Sequence, residues 1–183
     1  MEKLQKGIKD LLVKVGENPK RIDLIRTPER VQTMLSSFLT GYHTPHFDPL
    51  GNPYSIENSH QNDTIVVDNI PFCSLCEHHM VPFFGKMHVS YIPDQHVLGL
   101  SRFASFIDYK SRRLQIQENL GADIAQSLFD KLAPKAILVK VVAMHACLAM
   151  EGKHQGGSRL ITSHFRGKED LHPILTMALS DYS

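Results

Sequence analysis

Residues 136–150 read AILVKVVAMHACLAM, and this stretch decides the fold. Its start is β-branched and aliphatic, which predicts a long strand over Ala136–Met150. Pro134 breaks whatever precedes it. Side chains alternate faces along a strand, so Val139, Val141 and Ala143 share a side that His145 and Cys147 continue. One strand end then delivers an imidazole and a thiol together.

Working outward, Arg159–Phe165 reads as a last strand. Arg113–Leu132 reads as a helix, with Ile116, Leu120, Ile124, Leu128 and Leu132 as its buried stripe. Ser101 to about Tyr109 gives another helix, and Thr64–Ile70 and Lys86–Ile92 read as strands. Leu4, Ile8, Leu11, Leu12 and Val15 recur at helical spacing, with a stop near Gly16 and Pro19 beyond. A second helix starts at Thr27-Pro28-Glu29, where Thr27 is expected to cap free N–H groups and Pro28 suits the first position. Val31, Met34, Leu35, Phe38 and Leu39 form its stripe, and Gly41 ends it. Residues 42–63 are rich in Pro, His, Asn and Ser and read as an irregular loop. Helices therefore come first, then strands flanking two helices. The predicted class is α+β with a largely antiparallel sheet. Residues 1–42 form an N-terminal helical region and 43–183 the domain that carries the site, one functional unit overall.

The 183 residues are 42% hydrophobic and 21% charged with a net charge of +1, the balance of a globular domain that buries a genuine core. Near-neutrality gives no reason to expect nucleic acid or a membrane surface as partner. The start, Met1-Glu2-Lys3-Leu4, lacks the basic-then-apolar pattern of a signal peptide, and no stretch has the length of a membrane span, so the expected location is cytoplasmic. Three cysteines, Cys73, Cys76 and Cys147, are an odd count, which rules out a complete disulfide framework and favours metal or catalytic chemistry.

The densest polar cluster is Cys76-Glu77-His78-His79. Cys and His three positions apart reach one ion from a turn, the local half of many zinc sites. A buried thiol beside surface histidines is the alternative at this point. Adding Cys147 gives three ligands, Cys76, His79 and Cys147, with a fourth position left for water, the arrangement of catalytic rather than structural zinc. His78 and His145 then remain for proton transfer.

The run from Cys76 to Lys86, CEHHMVPFFGK, resembles the zinc segment of the GTP cyclohydrolase I family. Tyr91-Ile92-Pro93, Gly99-Leu100-Ser101-Arg102, the stretch Arg112 to Glu118, His145-Ala146-Cys147 and the stretch Gln155 to Arg166 follow in the family's order and spacing. Gly16-Glu17-Asn18-Pro19, Thr27-Pro28-Glu29-Arg30 and Gly41-Tyr42 fit as well, so the likeness covers nearly the whole chain. It implies a tunnelling fold, an antiparallel sheet backed by helices, assembled into a homodecamer with sites at subunit interfaces. It implies zinc on Cys76, His79 and Cys147, with His78 and His145 catalytic. Glu118, helped by Gln117, would hold the guanine edge, and Ser101 and Arg102 would also contact substrate. The implied reaction is hydrolytic opening of the purine imidazole ring at C8, with His145 protonating N7 and formate released. The family's full reaction turns GTP into dihydroneopterin triphosphate.

The chain departs from the family where a triphosphate would sit. Ser105, Glu151, His154 and Asp68 stand at positions that are usually basic, and Arg102 alone stays cationic. A carboxylate ~4 Å from a phosphate costs ~4 kcal/mol at an effective dielectric near 20. The expected substrate is therefore a guanine nucleoside, a base or an oxidised purine such as 8-oxoguanine. Authentic GTP turnover, with Lys153 or Arg159 as replacement cations, is one alternative, and an inactive homologue acting as a regulatory or scaffold subunit is another. Cys73 is expected in the core, and His43, His46 and His60 in solvent. His88 is assigned nothing. Lys110, Arg112 and Arg113 are expected on a solvated face or a subunit contact, and Gly156-Gly157 in a turn.

Overall fold

The computed structural model describes residues 2–44, 48–57, 60, 62–151 and 157–182. Two helices open the chain, α1 (Glu2–Lys14) and α2 (Thr27–Phe38), followed by a 3-10 turn at Thr40–Tyr42. A short strand β1 (Tyr54–Ser55) pairs antiparallel with β4 (His96–Val97). The main sheet holds β2 (Ile65–Cys76), β3 (Pro82–Ile92), β5 (Leu114–Gln115), β6 (Ala136–His145) and β7 (Leu160–Gly167), in the order β5-β2-β3-β6-β7. All its pairings are antiparallel except that of the two-residue β5 with β2. Helices α3 (Leu100–Ser111) and α4 (Gln117–Leu132) lie in sequence between β3 and β6, while α5 (Ala146–Met150) and α6 (His172–Ala178) follow β6 and β7. Two long strands, two helices and two long strands make the expected antiparallel, helix-backed α+β sheet.

The sheet has two unlike faces. On one, Phe83, Met87, Val89, Tyr91, Val139 and Val141 meet Phe103, Phe106 and Ile107 of α3 and Leu120, Ile124, Leu128 and Leu132 of α4. Each such side chain contributes about 1.5–3 kcal/mol on burial, so this face holds the molecule together. On the other face, α6 covers only one end, where Leu175 and Leu179 sit on Ile92, Ala136 and Leu138. Helix α1 has no buried residue in the chain alone.

Several boundaries differ from the sequence reading. Strand β2 runs on to Cys76, so that cysteine ends a strand instead of standing in a loop. Its pairing with β3 slips between Val67 and Ile70, where Asn69 takes a left-handed φ of 55° beside Asp68. Strand β6 stops at His145, and Ala146–Met150 are helical. Ala146, Leu148, Ala149 and Met150 are strong helix formers without β-branches, so the β-branched start does not carry through. Thr27 is the first helical residue and makes no capping bond, with Arg26 at the cap position. Helix α6, opened by Pro173, was not anticipated. Among the described residues no helix is long and apolar enough to cross a membrane.

Candidate metal and catalytic site

The turn between β2 and β3 is tight. The Cys76 N–H donates to Val81 O at 2.9 Å, the Met80 N–H donates to Cys76 O at 2.8 Å, and Met80 adopts φ 53°. This folds the two histidines back on the strand end, so that Nδ1 of His78 and of His79 lie 3.9 and 3.8 Å from Cys76 Sγ. Next to β3 in the sheet, β6 ends beside this turn, with His145 opposite Phe83 in the register. The first turn of α5 then presents Cys147. Strand alternation does not place it, because the chain has already left the strand; a helical turn does the same work.

The ligand atoms of Cys76, His79 and Cys147 all lie within 4.8 Å of one another. Tetrahedral zinc with bonds of roughly 2.3 Å to sulfur and 2.0 Å to nitrogen has ligand–ligand edges of roughly 3.5–3.8 Å, so these side chains fit a divalent ion with small movements. Burial pushes the Cys147 thiol above its ordinary range, and the neighbouring Cys76 sulfur adds to this. Two adjacent sulfurs become thiolates only with a cation between them, which a divalent ion supplies. Among the described residues no fourth Cys, His or carboxylate joins the group.

His145 stands beside it. Its ring stacks on Phe83 with centroids 5.0 Å apart and planes 9° from parallel, and its Nε2 lies 2.9 Å from Gln117 Oε1. Burial lowers its pKa, and the carboxylate of Glu118 works against that. Glu118 is exposed in the first turn of α4, at the positive end of that helix. Gln117 is fully buried, and its amide nitrogen bonds Val141 O, Leu160 O and Thr162 Oγ1. His78 is exposed, with Nε2 3.8 Å from Glu77.

Ser101 and Arg102 are not brought to this cluster within one chain. Ser74 Oγ donates to Arg113 O at 3.2 Å, which sets the far end of α3 beside the Cys76 end of β2. The start of α3 is then a helix length away, roughly 16 Å at 1.5 Å per residue. There the Arg102 guanidinium lies against Gly51, its Cζ 3.3 Å from where a Cβ would stand.

The positions set aside fall as follows. Cys73 is half-buried opposite Phe84, with its thiol pushed up by burial. His43 is exposed, and His60 pairs with Asp63 at 2.9 Å. Lys110 and Arg113 both bind Asp123, and Arg112 binds Asp108. Asp68, Ser105 and Glu151 are exposed. His46, Lys153, His154 and Gly156 lie outside the described residues.

The sequence reading missed three features of this region. Phe83 braces His145, hidden in an ordinary apolar run. His88 is buried, accepts the Asn69 N–H at Nδ1 and stacks on Tyr182. His164 of β7 packs over Gly121, one helical turn from Glu118, and its Nε2 is buried without a partner among the described residues. A glycine inside a long apolar helix stripe was the available signal for the last.

The profile of the GTP cyclohydrolase I family matches residues 4–178. GTP cyclohydrolase 1 of Streptococcus agalactiae serotype V is 42% identical over 167 residues, 91% of this chain and 88% of that protein. The bifunctional protein FolKE of Lactococcus lactis subsp. cremoris is 40% identical over 167 residues, again 91% of this chain, which spans about half (48%) of that longer protein. A crystal structure of the archaeosine synthase QueF-Like in the apo form aligns with 57% of this chain and 94% of its own at 18% identity and a TM-score of 0.49. With a match that runs almost from end to end and relatives at about 40% identity, the chain belongs to the GTP cyclohydrolase I family.

Proposed function

We propose that this chain is a zinc-dependent cyclohydrolase that opens the imidazole ring of a guanine-type purine at C8, on a substrate that carries no triphosphate. The observation that carries the hydrolytic half is the convergence of two sulfurs and one imidazole beside a half-buried His145. Two thiolates with one nitrogen favour zinc over harder ions. A zinc ion held there supplies a Lewis acid that makes water nucleophilic near neutral pH.

The protein's own groups do the rest. Glu118, a carboxylate at a helix start, accepts from the ring N–H and exocyclic amine of guanine and so orients the base. His145, half-buried and braced on Phe83, takes a proton from the attacking water and delivers it to N7 as the oxygen adds to C8; the C8–N9 bond then breaks as the new hydroxyl's proton passes to N9. His78, exposed beside Glu77, exchanges protons with solvent. Ser101 and Arg102 reach a site only from another copy of the chain, in keeping with a homo-oligomer, a decamer by family resemblance, whose sites lie between subunits.

The substrate half rests on charge. Asp68, Ser105 and Glu151 are exposed where the family is basic, so a tail of about four negative charges would meet carboxylates and a hydroxyl instead of guanidiniums. At an effective dielectric near 20 each carboxylate–phosphate approach to 4 Å costs ~4 kcal/mol, more than one bidentate arginine would return. A nucleoside, a base or 8-oxoguanine avoids that cost. Conversion of GTP itself is the second reading, favoured by relatives at about 40% identity named GTP cyclohydrolase 1. Loss of the purine chromophore on the zinc-loaded protein is to be measured with GTP, guanosine, guanine and 8-oxoguanine, with formate as the carbon product from the first three and carbon dioxide from the last. Turnover of an uncharged purine is the expected result; efficient turnover of GTP with the others inert overturns the substrate assignment.

A further inference from the structure

We propose that Gln117 is a positioning residue that fixes the tautomer of His145, leaving Nδ1 as the nitrogen that handles the transferred proton. The inference rests on the reading of His145 as the proton-transfer group. Its evidence is a set of hydrogen bonds whose directions have one consistent assignment.

The Gln117 amide is fully buried at the start of α4. Its nitrogen faces two carbonyl oxygens, Val141 O at 3.2 Å on β6 and Leu160 O at 3.1 Å on β7, as well as Thr162 Oγ1 at 3.3 Å. Carbonyl oxygens only accept, so the group that faces them must be the NH₂. Turning the amide over would set its oxygen against both carbonyls and bury two unmet acceptors, at about 1–3 kcal/mol each. The amide orientation is therefore determined by the two strands. Its oxygen is left pointing at His145 Nε2, 2.9 Å away. An amide oxygen accepts, so Nε2 must carry the hydrogen and donate. A neutral imidazole holds one hydrogen, which makes Nδ1 the lone-pair nitrogen. Among the described residues Nδ1 has no hydrogen-bond partner, and the stack on Phe83 stops the ring from turning over.

Gln117 thus reads the ends of β6 and β7 and passes their position to one imidazole nitrogen. Without Gln117 the hydrogen is free to reside on either nitrogen, and the fraction with Nδ1 open falls.

The test is the nitrogen-15 spectrum of the zinc-loaded protein labelled at histidine, with His145 assigned by its loss in His145→Asn. The wild type is expected to show a protonated, exchange-protected Nε2 and an unprotonated Nδ1. Gln117→Glu keeps an acceptor for Nε2 but faces the two carbonyls without donors, so it should lose stability yet keep that tautomer. Gln117→Met should show both tautomers and raise the Nε2 proton's exchange rate by about tenfold, the order expected for losing one buried hydrogen bond. An Nδ1–H wild type, or a Gln117→Met protein with an unchanged spectrum, overturns the inference. With a purine that turns over, Gln117→Met lowers kcat and leaves KM in place. If no purine turns over, the functional reading fails while the spectrum still decides the tautomer.

Discussion

Gly121 and His164 permit a prediction whose size follows from geometry. Gly121 is buried in the middle of α4, where glycine costs about 1 kcal/mol relative to alanine by helix propensity alone. A Cβ added there would fall 2.5 Å from His164 Nε2 and 3.2 Å from Val141 Cγ2. The imidazole is trapped between helix and strand, so it yields only by leaving its rotamer or pushing β7 away. Overpacking of this kind costs about 1–3 kcal/mol. Gly121→Ala should therefore be destabilising by up to about 2 kcal/mol after the propensity gain is subtracted. In a His164→Ala background the obstruction is gone, and the same change should stabilise by up to about 1 kcal/mol. The coupling between the two sites is then about 1–3 kcal/mol, in the range that contacting residues show. Thermal unfolding of wild type, both single variants and the double variant measures it, at about 2–4 °C per kcal/mol for a chain of this size. Equal shifts from Gly121→Ala in both backgrounds would refute the argument that glycine stands there to admit the histidine.

Further outcomes follow from the site. Cys147→Ser should lower zinc affinity by well over tenfold, since even the loss of outer partners costs about 10–100-fold; unchanged zinc content after dialysis would remove Cys147 from the ligand set. Glu118→Gln should leave zinc content intact and reduce kcat/KM by about 10–150-fold, the equivalent of a charged hydrogen bond worth about 1.5–3 kcal/mol. Glu151→Arg should improve binding of GTP by about tenfold or more at low salt, with the gain shrinking as salt screens it; no gain at any ionic strength would take Glu151 away from the phosphate region. His88 supplies a pH dependence. Burial, then Lys140 and Lys86, hold its pKa below the ordinary 6.5, against an opposing pull from Asp68. Below pH 6.5 the unfolded chain therefore binds a proton that the folded one refuses, and stability falls with falling pH until the folded pKa is reached. His88→Phe should flatten that decline in a denaturation series; an unchanged slope would mean that other groups control it.

The sheet and the ion site were legible for different reasons. Binary pattern locates α3, α4 and β6 because their apolar residues recur at one clear period, and burial rewards that period wherever the segment sits. Cys76 and His79 were readable because a ligand pair three apart is a local constraint. Cys147 was identified correctly as a neighbour of Cys76 but through the wrong local geometry. Periodicity of two and a helical first turn both bring position 147 back to the site, and the pattern does not distinguish them over so few residues. Phe83, Gly121 and His164 were out of reach because their meaning lies in which element packs on which. Nothing within five residues of His164 announces Glu118 or Gly121; only the crossing of α4 over β7 brings them together. Gln117 illustrates the same limit. The family resemblance set it beside Glu118 at the base edge; consecutive helical residues point about 100° apart, and here Glu118 faces solvent while Gln117 is closed in by two strands.

The placement of Ser101 and Arg102 bears on assembly in a way that the sequence alone does not show. Strand β7 is last in the sheet order, so its outer edge has no partner in a single chain. Such an edge is a template for another strand, and Leu160 and Ile161 at its start are exposed apolar residues. The Cys76–His79–Cys147 group and Glu118 stand at the end of the sheet where β7 begins, whereas α3 starts at the opposite end. Copies joined edge to edge, or end to end through α3, would bring the two sets of residues together, and α1, with no buried residue of its own, offers further apolar surface for such contacts. Under the proposed function, substrate recognition would then be shared between copies. In a ring of the proposed kind each substitution would recur at every site, so Ser105 from a second copy and Glu151 from the first would act on the same tail together.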